Sequence, residues 1–395
     1  MAGPGSQWIG EEEIREVLEV LKSGRLFRYG SLDDPDFKHK VYSLEREFAA
    51  RCGVRFALAT SSGSGGLTVA LKALGIGPGD EVIVPAYTFI ASYSSVIQAG
   101  GIPALAEIDE SLTLDPDDIK RRITKKTKAV MPVHMLGNPC AMDEIMALTK
   151  EHGLRVVEDA CQANGGSYRG RCLGSIAEVG VFSLNIFKTV TSGDGGIVVT
   201  DDENIYRLAF GYHDQGHSPL RAGVEVGERS VLGMNYRMNE LTGAVALAQV
   251  RKLDRIVAVL REKKKKFKDL ISAVPGLKFR TLNDPAGECA TILTVLFDSP
   301  ERATQVSRQL GTTTVDKSGW HVYSNMEHFN RYLRERGLPH GKGAYPRTDD
   351  ILSRAINLSV GVVDPGLGAG FGIHIDSSDA EIEQRAEQFR RACAD

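Results

Sequence analysis

Lys188 stands in Phe182-Ser183-Leu184-Asn185-Ile186-Phe187-Lys188-Thr189, a stretch otherwise free of charge. A lysine withdrawn from water loses proton affinity and becomes a nucleophile toward carbonyls. In isolation it reads as a surface lysine. Asp159 closes Val156-Val157-Glu158-Asp159, just past an apolar strand. A carboxylate there can pair with a buried cation, or merely cap the next turn. Ser61-Ser62-Gly63-Ser64-Gly65-Gly66-Leu67 enters a helix on small residues. Exposed amides and the helix dipole make such an entry attractive to phosphate. The loop lacks the GK[ST] of a Walker sequence and the acidic partner of a dinucleotide fingerprint. Alone it reads as well as a plain helix cap.

The combination is more specific than its parts. A phosphate loop, a strand-end aspartate and a strand-end lysine are what pyridoxal phosphate (PLP) requires. The lysine forms a Schiff base, and the aspartate keeps the pyridine nitrogen protonated so that the ring can accept electrons. Ser183 begins the turn that leads to Lys188. A flat ring also needs an aromatic neighbour. Tyr87 and Phe89, in Pro85-Ala86-Tyr87-Thr88-Phe89, can supply it.

These residues need elements to hold them. Short apolar strands alternate with helical patterns from residue 55 to residue 200: Phe56–Ala59, Val82–Val84, Ala104–Ile108, Ala129–Val133, Leu154–Val157, Val179–Ser183 and Gly196–Thr200. This pattern predicts an α/β fold, with a mainly parallel sheet flanked by helices and loops with chemistry at the strands' carboxyl ends. An amphipathic helix is expected near residues 10–24 on Ile14, Val17, Leu18 and Leu21. Residues 1–255 are expected to form the large domain. A connecting helix and a smaller α+β domain are expected over residues 256–395.

The chain has 395 residues, 42% of them hydrophobic and 25% charged, with net charge −3. Disorder is excluded, and nothing drives a general affinity for nucleic acid. The basic run Arg261 to Lys268 reads as a solvated helix face. The uncharged Val82–Ala106 stretch carries Pro85, Pro103, Gly100 and Gly101, and reads as strand, loop and helix, not a membrane span. The N-terminus does not read as a signal peptide. The six cysteines have no metal-ligand spacing, which points to reduced thiols, no metal site and a cytoplasmic setting. Glycine is in surplus, 42 residues against a usual ~7%. Its clusters at residues 63–66, 165–166 and 193–196 are expected where backbone crowds a flat cofactor.

The sequence resembles the DegT/DnrJ/StrS group of fold-type I, PLP-dependent sugar aminotransferases. The resemblance runs from about Gly24 to Leu253 and more weakly beyond. It is carried by Gly79-Asp80-Glu81-Val82-Ile83-Val84-Pro85 with Thr88-Phe89, Pro132-Val133-His134 with Gly137, and Glu158-Asp159-Ala160 with Gln162. Phe182-Ser183 with Lys188, Gly193-Asp194-Gly195-Gly196, and Gly233-Met234-Asn235-Tyr236-Arg237-Met238-Asn239-Glu240 complete it. The resemblance implies that Lys188 is the catalytic Schiff-base lysine and Asp159 the partner of the pyridine nitrogen. It places Gln162 at the cofactor's phenolic oxygen, Phe89 on its ring, and Ser64, Gly65 and Ser183 at its phosphate. It implies that Asn235 reaches the phosphate of a second subunit, hence a homodimer with shared sites.

Part of the sequence is similar to enzymes that aminate the eighth carbon of a keto-octulosonate sugar acid: Phe27-Arg28-Tyr29, Glu107 to Glu110, Glu158 to Gly166 with Ser167-Tyr168, Asp214 to His217 and Ser353 to Ile356. Arg28, Tyr29, Arg237, His217 and Arg354 become candidate substrate contacts, each arginine with an ordinary ion pair as its alternative. The phosphate loop departs from the usual Gly-Thr-x-Ala-Leu, and Gln215-Gly216 stands where many members have His-Gly. The expected reaction moves an amino group from glutamate or glutamine to a keto sugar, a nucleotide-linked one or a sugar acid. A cyclitol or aminoglycoside-type ketone is an alternative acceptor. A sugar dehydratase of the same fold is the rival activity, but those relatives carry His where Lys188 stands.

Overall fold

The computed structural model describes residues 3–31, 33–219, 229 and 231–394. Met1 and Ala2 of the N-terminal stretch read above lie outside them. Nine strands make up the first part: β1 (Phe56–Thr60), β2 (Glu81–Pro85), β3 (Ile102–Ala106), β4 (Thr127–Val130), β5 (Arg155–Asp159), β6 (Ser167–Tyr168), β7 (Arg171–Cys172), β8 (Val179–Ser183) and β9 (Gly196–Thr200). Seven form one sheet in the order β1-β9-β8-β5-β4-β2-β3, and β6 and β7 make a separate hairpin. The pairs from β8 to β3 are parallel, while β9 runs antiparallel to both β1 and β8.

Strand periodicity divides the core into two faces. Ala57, Ala59, Ile83, Val130, Phe182 and Ile197 pack on one side with Phe48 of the helix Lys40–Cys52, whose ring meets Phe182 edge-on at 4.8 Å. Leu58, Val82, Val84, Ala129, Val157, Val181 and Val198 face the other way, toward the helices Gly63–Ala73 and Ile90–Ala99. Two-sided burial explains why these strands read as apolar runs.

A 32-residue helix, Glu240–Ile271, follows, its start capped by Asn239 Oδ1 accepting from the Thr242 amide. The expected division at 255/256 falls inside this unbroken helix. A second sheet is built from β10 (Lys278–Phe279), β11 (Ile292–Leu296), β12 (Ala355–Ser359) and β13 (Phe371–Gly372). The basic run is not a solvated face. Lys264 is buried against Glu288, Lys263 donates to the Ser377 carbonyl, and Lys266 pairs with Asp379 and Glu383. It is a seam joining this helix to the C-terminal segment. Among the described residues, no helix is long and apolar enough to cross a membrane.

The helix Glu11–Ser23 forms where expected and ends on Gly24 in the left-handed region (φ 67°). Its orientation is the reverse of what amphipathic packing suggests. Glu13 and Glu16 are buried, while Ile14, Leu18 and Leu21 are 50%, 44% and 53% exposed. The inward carboxylates are satisfied: Glu13 by Gln249, Lys252 and the Gly10 amide, Glu16 by Lys40.

Candidate active site

The carboxyl ends of β1, β2, β5 and β8 and the start of β9 open into one cavity of about 630 Å³, with a further wall from the C-terminal third. Register explains the convergence. Asp159 pairs with Val181, and both Thr60 and Ser183 pair with Gly196, so three loop exits lie side by side.

Asp159 is buried at the end of β5. Its Oδ2 accepts from Ser92 Oγ at 2.7 Å and its Oδ1 from the Cys161 amide at 3.1 Å. Ser92 Oγ lies 2.7 Å from Thr88 Oγ1. Sequence reasoning missed both hydroxyls. The signal was their four-residue spacing, Thr88 just ahead of and Ser92 within the first turn of the helix Ile90–Ala99, on the loop that carries Phe89. The neighbouring Glu158 points to the opposite face. It accepts from the amides of Gly174, Ile176 and Ala177, and lies 3.0 Å from His134 Nε2. The Cys140 amide donates to His134 Nδ1, so the ring proton sits on Nε2 and is given to Glu158. This buried knot fixes the strand end from behind.

Lys188 lines the cavity, and burial holds its ammonium below the ordinary lysine range, opposed by Cys161, Asp159 and Asp364. The loop that carries it is braced by the chain's first described residues. The Gly3 amide donates to the Ile186 carbonyl at 2.9 Å. A Cβ at Gly5 would lie 2.7 Å from the Val190 Cα.

The helix Gly63–Ala73 begins at the cavity. Its N-cap, Ser62, accepts from the Gly65 amide at 3.0 Å, and Gly66 donates to the Ser62 carbonyl. The amides of Gly63 and Ser64 have no partner among the described residues, and both residues line the cavity with Ser62 and Ser183. Gly65 is not in the lining, because its amide is spent on the cap. Several of the clustered glycines crowd protein, while Gly63 lines the cavity. A Cβ at Gly66 would meet Val181 at 2.8 Å, one at Gly166 would meet Leu173 at 2.8 Å, and one at Gly196 would meet the Ser62 carbonyl oxygen at 2.5 Å.

Phe89 and Gln162 also line the cavity. Gln162 Oε1 accepts from the Leu136 amide at 3.0 Å, which leaves its NH₂ to donate. Tyr87, the other aromatic candidate, is fully buried in the core and does not reach the cavity.

The remaining candidates sit elsewhere. Arg28 is buried, its guanidinium shared among Glu45 (2.8 Å), the Ala59 carbonyl (3.2 Å) and His213 Nε2 (3.1 Å). Arg354 pairs with Asp350 one helical turn back and donates to the Phe297 carbonyl. Both fill the structural alternative. Tyr29 donates to Asp214 at 2.6 Å, Arg237 pairs with the same carboxylate, and the His217 amide donates to the Asp214 carbonyl. Asn235 forms a backbone bridge with Asp214. These four residues form one cluster around a buried aspartate, outside the cavity of their own chain.

The sequence matches the DegT/DnrJ/EryC1/StrS aminotransferase family over residues 7–363. The chain belongs to that family. It is 34% identical over 355 residues to the spore coat polysaccharide biosynthesis protein SpsC of Bacillus subtilis, covering 86% of this chain and 89% of SpsC. It is 40% identical over 219 residues to the GDP-perosamine synthase of Caulobacter vibrioides, covering 55% of this chain and 58% of that protein. The solved structure of an aminotransferase from Psychrobacter cryohalolentis superposes with a TM-score of 0.82 at 28% identity, over 98% of this chain and 97% of that one. The protein is a PLP-dependent aminotransferase. The cavity fits that cofactor. It offers a lysine, a carboxylate fixed by two donors, a free side-chain amide, an aromatic face, and two open amides among three serine hydroxyls.

Proposed function

We propose that the enzyme moves an amino group from glutamate or glutamine to the carbonyl of a keto sugar, with a nucleotide-linked keto sugar as the favoured acceptor. The observation that carries this reading is the meeting of Lys188, Asp159, Ser183 and the open start of the helix Gly63–Ala73 in one cavity. The sugar assignment is supported by what the relatives' names state: one takes part in polysaccharide biosynthesis and another is a GDP-perosamine synthase. A keto-octulosonate acid and a cyclitol ketone are the competing acceptors.

When bound, PLP supplies an electron sink for the carbon that loses its proton. The chain does the rest. Asp159, oriented by Ser92 and the Cys161 amide, holds the proton on the pyridine nitrogen. Gln162 would donate to an oxygen of the cofactor, and Phe89 would lie against its ring. Gly63, Ser64 and Ser183 bind the phosphate at a helix start, where the dipole favours negative charge. Lys188, its proton affinity reduced by burial, would hold the cofactor and, once released from it, would take up and give back the proton of the reacting carbon.

The active unit in this reading is a homodimer with shared sites. Ile14, Leu18 and Leu21 are exposed, as are Leu26 and Phe27, and a second copy would cover them. The Tyr29, Arg237, Asn235 and His217 cluster would then face the partner's cavity. Mixing Lys188→Ala with Asn235→Ala protein tests this: hybrid dimers regain one intact site if sites are shared, and mixtures stay inactive if they are not.

The cofactor and reaction are tested on purified protein. Borohydride should bleach the cofactor's visible band and leave a mass tag on Lys188. Glutamate should convert the cofactor to its aminated form, and a panel of keto sugars should reverse that change. A protein that cannot be loaded with PLP, or whose Lys188→Ala variant keeps full turnover, refutes the reading.

A further inference from the structure

The C-terminal third supplies a wall of the cavity that the sequence left unread: Trp320, His321, Val362, Asp364 and Leu367. Main-chain bonds fasten it to the cofactor loop. The Thr88 amide donates to the His321 carbonyl at 2.9 Å and the Ile90 amide to the Trp320 carbonyl at 3.1 Å. The His321 ring lies 5.3 Å from that of Phe89 and is only 6% exposed.

Its tautomer follows from its neighbours. The Ser318 hydroxyl has one proton, and it goes to the Gly366 carbonyl at 2.5 Å. Ser318 Oγ therefore accepts from His321 Nδ1 at 3.2 Å. With its proton on Nδ1, the ring presents a bare Nε2. Apart from Ser318, no side chain among the described residues is hydrogen-bonded to the ring, and His321 lines the cavity. Burial and the nearby Lys188 push the ring's pKa down to about 3, so it stays a neutral acceptor at working pH. Asp364 adds a second acceptor. Its Oδ1 takes the Gly366 amide at 2.8 Å, and Oδ2 has no hydrogen-bond partner among the described residues.

A bare imidazole nitrogen beside a carboxylate calls for donors from its ligand and disfavours a carboxylate or phosphate at that spot. We propose that His321 Nε2 and Asp364 form the subsite that receives ring hydroxyls of the acceptor sugar beside its carbonyl. The proposal rests on the keto-sugar reading and narrows it. The acceptor is hydroxylated next to the reacting carbon and carries any anionic group elsewhere.

The test uses the holoenzyme, a GDP-linked 4-keto-6-deoxyhexose and its 3-deoxy counterpart. His321→Phe keeps the ring against Phe89 and removes the acceptor. His321→Gln returns an oxygen near the Nε2 position. His321→Phe should raise the KM for the hydroxylated sugar about tenfold, the worth of one hydrogen bond, while the glutamate half-reaction changes less than twofold. His321→Gln should recover most of the loss, and the 3-deoxy sugar should be insensitive. Equilibrium binding of the corresponding 4-amino sugar nucleotide gives the same comparison without turnover. Equal losses in both half-reactions, or binding that ignores the substitution, overturn the subsite. So does a wild-type enzyme that binds neither sugar while its glutamate half-reaction is intact, and that result leaves the aminotransferase reading standing. Failure of the glutamate half-reaction itself strikes that reading instead.

Discussion

Gly196→Ala should loosen the phosphate cradle from a position that never touches the cofactor. Gly196 starts β9 and pairs with both Thr60 and Ser183. A Cβ there would lie 2.5 Å from the Ser62 carbonyl oxygen, 2.6 Å from its carbon and 2.7 Å from Thr60 Oγ1. Ordinary contact begins at 3.4 Å, so Ser62 must retreat by about 0.9 Å (3.4 − 2.5). Ser62 is the cap whose position sets the open amides of Gly63 and Ser64. Overpacking of this kind costs about 1–3 kcal/mol, and a domain of this size loses roughly 2–4 °C in Tm per kcal/mol. If about half the cost appears in the cradle, PLP affinity falls about two- to tenfold. Gly196 does not occupy the left-handed region, so backbone strain does not confound the result. Gly24→Ala is the control: its φ is 67° with nothing within 4 Å, so it should lower Tm and leave affinity alone. Calorimetric melts and PLP titration by absorbance read both quantities. A Gly196→Ala protein with wild-type Tm and affinity refutes the idea that β9 holds the cradle.

Three further outcomes are expected. Ser92→Ala removes a donor to a buried carboxylate, worth about 1.5–3 kcal/mol, so kcat/KM should drop about 10–100-fold; steady-state kinetics at wild-type values would remove Ser92 from the site. Ile14→Glu with Leu18→Glu should shift sedimentation from dimer to monomer, and an unchanged species would show that this face is not the interface. His213 is held neutral by burial beside Arg28, its pKa pushed down to about 3 from 6.5. Between those values the unfolded chain binds a proton that the native one refuses, so stability is lost as pH falls below 6.5, at up to about 1.4 kcal/mol per unit. Urea melts at pH 7 and pH 5 should show that slope, and His213→Gln should flatten it; a slope that survives the substitution assigns the effect to other groups.

The chemistry was readable where it sits at strand ends. Lys188, Asp159 and Ser183 are unusual residues in apolar surroundings, and alternating strands place such residues at one edge of a sheet. What escaped depended on three-dimensional packing. The spacing of Ile14, Leu18 and Leu21 identifies a helix but not which side meets the core. Here buried Glu13 and Glu16 find Lys252 and Lys40 from distant segments. The clustered glycines announce close approach without saying to what, and they meet Val181, Leu173 and Ser62. His321 reaches the cavity from far along the chain, and no local pattern signals that. Arg28 looks identical in sequence whether it meets a substrate or Glu45.

The brace beneath Lys188 ties the lysine loop to segments far apart in the chain. Pro4 lies against Gly361, where an added Cβ would be 2.7 Å from the proline ring, and Gly3 is bonded to Ile186. Such distant contacts form late, after the entropy of closing a long loop has been overcome. The seven-stranded sheet, built from residues 56–200, can assemble before these contacts, and the lysine loop is braced afterwards. Cofactor capture should then lag behind the sheet in refolding, with the yellow colour of the loaded enzyme returning after most of the secondary structure.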